Sequence, residues 1–171
     1  MTWNRKTKQD LAGGGEGVYS AALTYLSRRD HAEQELRTKL SQRGAEDEYI
    51  NETIASLMEK GYLDEYRFAK GRARYRKEIS HRGRYFVRME LRELGLDDNT
   101  IEDALAEEYT EDEELFLLTN LVRKEKRTVA VEWDMDKRQR FFRSAQRRLI
   151  TRGFNPGAVF RLFQDSADED S

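Results

Sequence analysis

The chain has 171 residues, a net charge of −2 and no cysteine, which excludes a disulfide framework and a thiolate metal site. Hydrophobic and charged residues each make up 37% of it, too little apolar material for one thick core and enough for a string of small helical units. Proline occurs once, few stretches are β-branched, and no apolar run approaches the roughly 18 residues of a membrane span or forms a signal-peptide core, so a helical, cytoplasmic protein is expected.

Residues 1–17 have no periodicity and are expected to form a flexible arm. Their Gly13-Gly14-Gly15-Glu16-Gly17 run is followed by no Gly-Lys-Ser/Thr and is not a phosphate loop. Helices are then predicted from Tyr19 to Arg28, from Asp30 towards Gly44 with Asp30 and Glu33 as a capping box, and from about Asp47 to Lys60. Gly61 stops that third helix, Asp64 caps the next, and Leu63 staples onto Phe68. This fourth helix runs to about Ile79 and breaks at Ser80-His81-Arg82-Gly83. Further helices carry Val87, Leu91 and Leu94, then Ile101 and Leu105 after Asp97, then Leu115, Leu118 and Val122 after Thr110. A loop at about 127–136 precedes a helix with Phe142, Ala145 and Leu149 facing inward, and Pro156 opens the last one. The tail, 165–171, is acidic.

Aligning Gly44, Gly95 and Gly153 exposes an internal repeat. Eight residues before each stand Leu36, Val87 and Ala145, and four before stand Leu40, Leu91 and Leu149. Six after stand Ile50, Ile101 and Val159, and ten after stand Ile54, Leu105 and Phe163. The spacings are 51 and 58 residues, and the surplus of seven is assigned to the 127–136 loop. The expected fold class is therefore all-α: three tandem, helix-turn-helix-like units of three helices, at 18–62, 63–109 and 110–164, stacked into an elongated, curved molecule.

Charge along the chain is zoned. From Arg67 to Arg92 there are ten basic residues and two acids; from Glu93 to Glu114 there are eleven acids and no base; from Lys137 to Arg152 there are seven bases and no acid. Helical spacing puts Arg67, Lys70, Arg74 and Lys77 on one face of the fourth helix, and Arg84, Arg88 and Arg92 extend the same sign along the next. Arg140, Arg143 and Arg147 form a second basic face. These ten residues are the expected contacts to an anionic partner, because seven like charges on two consecutive helices are costly to hold without one. The first seven lie outside the predicted core stripe, so replacing them is expected to spare the fold. Arg72 and Arg76 sit nearer the apolar stripe and are expected to lie on the core or pair with acids.

No catalytic constellation emerges. His31 and His81 are isolated, no metal-ligand spacing, nucleophile elbow or Walker motif is present, and the paired acids sit at helix starts. No enzyme activity, cofactor or metal is expected.

Several stretches resemble the RecX family of bacterial recombination regulators: Tyr25-Leu26-Ser27-Arg28-Arg29 with Glu35-Leu36 and Lys39-Leu40, Gly61-Tyr62-Leu63-Asp64 followed by Arg67-Phe68-Ala69, Gly83 with Glu90-Leu91 and Gly95-Leu96, and Arg152-Gly153-Phe154. The resemblance spans roughly 20–164. It implies three tandem three-helix modules, no catalysis, and binding to the RecA recombinase filament on single-stranded DNA. There such proteins lie in the filament groove, curb ATP hydrolysis and strand exchange, and promote filament loss. A monomer is expected, with direct contact to the DNA left open. The chain departs from the family pattern in its pI of 5.9 and in Tyr85-Phe86-Val87, where an isoleucine is usual. The alternative reading is a DNA-binding helix-turn-helix regulator acting without RecA. Against it, the helices after the repeat glycines carry few bases, and phosphates would repel them.

Overall fold

A computed structural model describes residues 14–130 and 132–164. Among these, all regular structure is helical: α1 (Gly15–Leu26), α2 (Glu33–Ser41), α3 (Asp47–Glu59), α4 (Glu65–Glu78), α5 (Arg84–Glu93), α6 (Asp98–Glu108), α7 (Glu111–Lys126), α8 (Met135–Thr151) and α9 (Pro156–Gln164). None of them is long and apolar enough to cross a membrane. The chain forms two compact units, one running to Phe68 and including Leu94–Asp97, the other made of Ala69–Glu93 and the residues from Asp98 onward.

In the first unit α1, α2 and α3 pack on one another. Val18, Ala22, Leu36, Leu40, Ile50, Ile54 and Leu57 form its core, and Leu63 joins it from the turn before α4. That turn is built as its sequence requires. Gly61 takes the left-handed φ of 68°, and the Arg67 N–H donates to the Asp64 carboxylate at 2.9 Å, which starts α4. The expected capping box at Asp30 is not formed. The residue before α2 is Ala32, without a side-chain cap; the Asp30 carboxylate instead accepts from Arg67 Nε at 3.1 Å. Glu65 fills the vacant role, accepting the Glu33 N–H at 3.3 Å. Its burial, with Glu33 and Asp97 nearby, raises its pKa.

In the second unit α5 packs on α6, while α9 packs on both α7 and α8. Leu118, Val122, Ala145, Leu149, Phe154, Val159 and Phe163 form one core cluster, and Ala69, Ala73, Val87, Leu91, Ile101, Ala104, Leu105 and Tyr109 are buried before it in sequence. The cap seen at α2 recurs here: Glu114, in the first turn of α7, accepts the N–H of Arg84 at the start of α5 at 2.7 Å. Glu33 and Arg84 are 51 residues apart, the repeat spacing, so in both cases the first helix of one bundle caps the second helix of the bundle before. A backbone joint adds to this, with the Gly83 N–H donating to the Arg152 carbonyl at 2.8 Å.

All twelve aligned apolar positions of the repeat are buried, and Gly44, Gly95 and Gly153 share φ values of 83°, 87° and 91°. Two boundaries differ from expectation. Helix α1 begins at Gly15, so residues 15–17 belong to it and not to the arm; residues 1–13 lie outside the described residues, as does the acidic tail. The surplus of seven residues in the third repeat is not a loop insertion. Helix α8 has 17 residues against ten in α5, while the preceding loop is only slightly lengthened. Seven residues are close to two helical turns, so the extension keeps the inward face in phase.

Candidate nucleic-acid and partner interface

The basic face of α4 and α5 is neutralised from within. Arg67 donates to Asp30 and also to the carbonyls of Gly61 and Tyr62, at 3.3 and 3.1 Å, clamping the turn that precedes its own helix. Lys70 pairs with Glu107. Arg74 pairs with Glu108 at 2.7 Å, a carboxylate only 5% exposed. Lys77 reaches Glu113 at 3.3 Å and the Glu108 carbonyl. Arg84 and Arg88 converge on Glu102, and Arg92 meets Asp98 at 2.7 Å. The seven cations were expected to need an outside partner; the acidic zone 93–114, with Asp30, supplies it. The expectation that replacing them spares the fold is corrected on the same ground. Arg72 and Arg76 both bond Glu90 at 2.8 Å, as expected of residues near the core.

The electrostatics carry the mark of this pairing. Hydrogen bonds from Arg88 and Arg84 hold Glu102 down to about 2, against a smaller opposing effect of burial. Burial pushes Glu90 upward, but the bonds from Arg76 and Arg72 outweigh it and its pKa is lowered. The N–H and hydroxyl of Thr110, in a complete capping box, lower Glu113, with Lys77 adding to them.

Helix α8 is different. Among the described residues, Arg140 bonds only the Asp136 carbonyl of its own helix, at 3.3 Å, and Arg143 only the Gln139 side chain, at 3.3 Å. Arg147 makes no hydrogen bond or ion pair with any described residue. All three are exposed, opposite the buried Ala145 and Leu149. Helical spacing places them within about 60° around the axis and about 10 Å along it. Their neighbours are engaged: Arg148 with Glu125 at 2.7 Å, Lys137 over the Trp133 ring, and Arg138 with the Trp133 carbonyl. Of the ten cations singled out by sequence, the geometry thus leaves Arg140, Arg143 and Arg147 with no carboxylate among the described residues.

Two other features escaped the sequence reading. Arg82 lies with its guanidinium carbon 4.3 Å from the centre of the Phe86 ring, a contact signalled only by a four-residue spacing across Gly83. His31 is buried, which lowers its pKa, and sits 6.0 Å from the Tyr25 ring; with Arg29, Glu35 and Lys39 it forms a local network. The Tyr25–Arg29 and Glu35–Lys39 motifs thus meet each other in the fold.

Comparison with known proteins agrees with this architecture. The family descriptions for the first and second three-helix domains of RecX match residues 19–57 and 64–105. A regulatory protein RecX from Halorhodospira halophila is 36% identical over 161 residues, 94% of each chain. One from Geobacillus kaustophilus is 33% identical over 86% of this chain. The chain spans about half the length of the Geobacillus relative and of one from Leuconostoc mesenteroides, 53% and 49%. The crystal structure of RecX from Lactobacillus salivarius superposes with a TM-score of 0.72 at 24% identity, covering 88% of this chain and 95% of that one. A second RecX crystal structure gives 0.76 at 24% identity, covering 88% and 73%. With its three-helix architecture matched by these folds, and a relative above 30% identity aligned over nearly its whole length, the chain belongs to the RecX family of regulatory proteins.

Proposed function

We propose that this protein binds the RecA filament on single-stranded DNA and restrains it, lowering ATP hydrolysis, strand exchange and filament persistence. It acts as a monomer in the cytoplasm and performs no chemistry of its own. Family membership supports a regulatory role, and the resemblance of its motifs to recombination regulators supports RecA as the target. One observation carries the choice of surface: the exposed α8 stripe of Arg140, Arg143 and Arg147, without carboxylate partners among the described residues. Such a stripe suits the phosphates or acidic rim of a filament groove. Arg67, Lys70, Arg74, Lys77, Arg84, Arg88 and Arg92 are read as the internal cement that fixes the fold presenting it.

The test is RecA ATPase on single-stranded DNA with and without the protein. Hydrolysis is expected to fall in a dose-dependent way; an unchanged rate at saturating protein overturns the proposal.

A further inference from the structure

We infer that the acidic segment 165–170 docks back onto the α8 stripe of Arg140, Arg143 and Arg147 and masks it, so that an anionic partner must displace the chain's own carboxylates. The masking role rests on the reading of α8 as the docking face; the docking itself does not. The segment carries Asp165, Asp168, Glu169 and Asp170 and no base. The stripe is its complement in charge: three exposed guanidinium groups with no carboxylate partner among the described residues.

The fold delivers the segment to the stripe. Helix α9 packs on α8, and the Phe163 ring centre lies 5.4 Å from that of Phe142, so α9 runs back along α8 and ends level with Arg140 and Arg143. Lys126 fixes this end, donating to the Leu162 carbonyl at 2.6 Å with its Nζ 5.7 Å from the Phe163 ring centre. Measured from Phe142, Arg143 stands about 100° around the α8 axis and Arg140 about 160°, arcs of about 10 and 15 Å on a helix about 11 Å across. Extended chain gains about 3.4 Å per residue, so Asp168, Glu169 and Asp170 can lie about 14–20 Å beyond Gln164, enough to reach all three arginines.

Other cations stand near the same exit, and each already has a use. Arg123, Lys124, Lys126 and Arg127 close α7, where the negative end of the helix dipole accounts for them. Arg148 is held by Glu125. Arg140, Arg143 and Arg147 are mid-helix, in one row, with no such compensation. Tethering presents the acids to them at a roughly millimolar effective concentration.

The chain has no cysteine, so Ser171→Cys in the full chain carries a single nitroxide label. At low salt the label is expected to broaden the backbone amide NMR signals of residues 140–147. The broadening should vanish in about 0.5 M salt and in the combined variant Arg140→Gln, Arg143→Gln and Arg147→Gln. Broadening that centres on the end of α7, or that survives salt or the variant, overturns the docking. So does broadening of unlabelled, isotope-enriched protein mixed with the labelled chain, which would make a second copy the source of the segment. Masking is read with inorganic polyphosphate as the probe. Asp165→Asn, Asp168→Asn, Glu169→Gln and Asp170→Asn together should raise its affinity severalfold at low salt, and the gain should disappear in the Arg-to-Gln background. An unchanged affinity overturns the masking; a gain that persists in that background is an effect of net charge alone and overturns it too. RecA enters neither measurement, so failure here leaves the ATPase test of the filament reading standing, and failure there leaves the docking standing.

Discussion

At Glu102 two arginines converge, and the consequence is a pH dependence of stability. Hydrogen bonds from Arg88 and Arg84 bring its folded pKa from 4.5 to about 2. A carboxylate with a depressed folded pKa contributes stability that is complete above its unfolded value and is lost as pH falls through the folded one. The contribution of Glu102 should therefore disappear between about pH 5 and about pH 2. Glu90 and Glu113 are lowered too and act in the same direction. The melting temperature of the wild type is expected to drop over this range, and Glu102→Gln should flatten the drop while lowering the neutral-pH value. A Glu102→Gln protein with an undiminished acid transition would show that the Arg84–Glu102–Arg88 group does not govern it.

Among elements, the glycine turns separate what the sequence shows from what it hides. Gly95 and Gly153 occupy the same repeat position and nearly the same φ, so a side chain at either meets a similar backbone penalty, about 1–2 kcal/mol. Their surroundings differ. A Cβ on Gly95 would come 3.3 Å from Gln34 Cβ, a side-chain atom that yields slightly, whereas one on Gly153 would come 2.3 Å from the Phe86 backbone nitrogen. In urea unfolding, Gly95→Val is expected to cost about 1–3 kcal/mol, and Gly153→Ala, despite its smaller side chain, about 3 kcal/mol or more, because backbone must move. The reverse order would mean that the Gly83–Gly153 joint opens at little cost. The repeat, its glycines and its twelve core positions were legible because 3.6-residue periodicity and a left-handed cap are local signals. The joint was not, since a glycine kept for close approach looks like one kept for φ. Nor was the α2 cap, because Asp30 satisfies a local capping pattern yet is claimed by Arg67 from 37 residues away. The length of α8 was misplaced for a related reason: adding two whole turns leaves no break in periodicity to find.

Across the whole molecule, the charge zones read as separate surfaces in one dimension and as partners in three. A run of bases followed by a nearly equal run of acids has no net field to offer once their helices face each other, and the near balance of ten against eleven was the available signal. Two sets of charge reversals follow with opposite outcomes. Changing Arg67, Lys70, Arg74 and Lys77 together to Glu sets carboxylates against Asp30, Glu107, Glu108 and Glu113, with Glu108 buried and unable to turn to water. This variant should lose stability, with melting lowered by on the order of 10 °C, because breaking an ion pair at a buried charge is costly. Changing Arg140, Arg143 and Arg147 to Glu removes no described ion pair, and it leaves like charges at 143 and 147, four residues apart, as they were. Helicity and melting should hold, while affinity for RecA filaments on single-stranded DNA falls sharply. If those three arginines face phosphates, the slope of log affinity against log salt should flatten by about 2, from about 0.7 for each of three contacts on a single strand. If they face acidic recombinase side chains, affinity falls with a smaller change in slope, since fewer condensed counterions are released. Retention of full affinity by the α8 variant would move the interface off this helix, and the paired zone of α4 to α6, charged in total yet neutral in sum, would then have to engage the filament by shape.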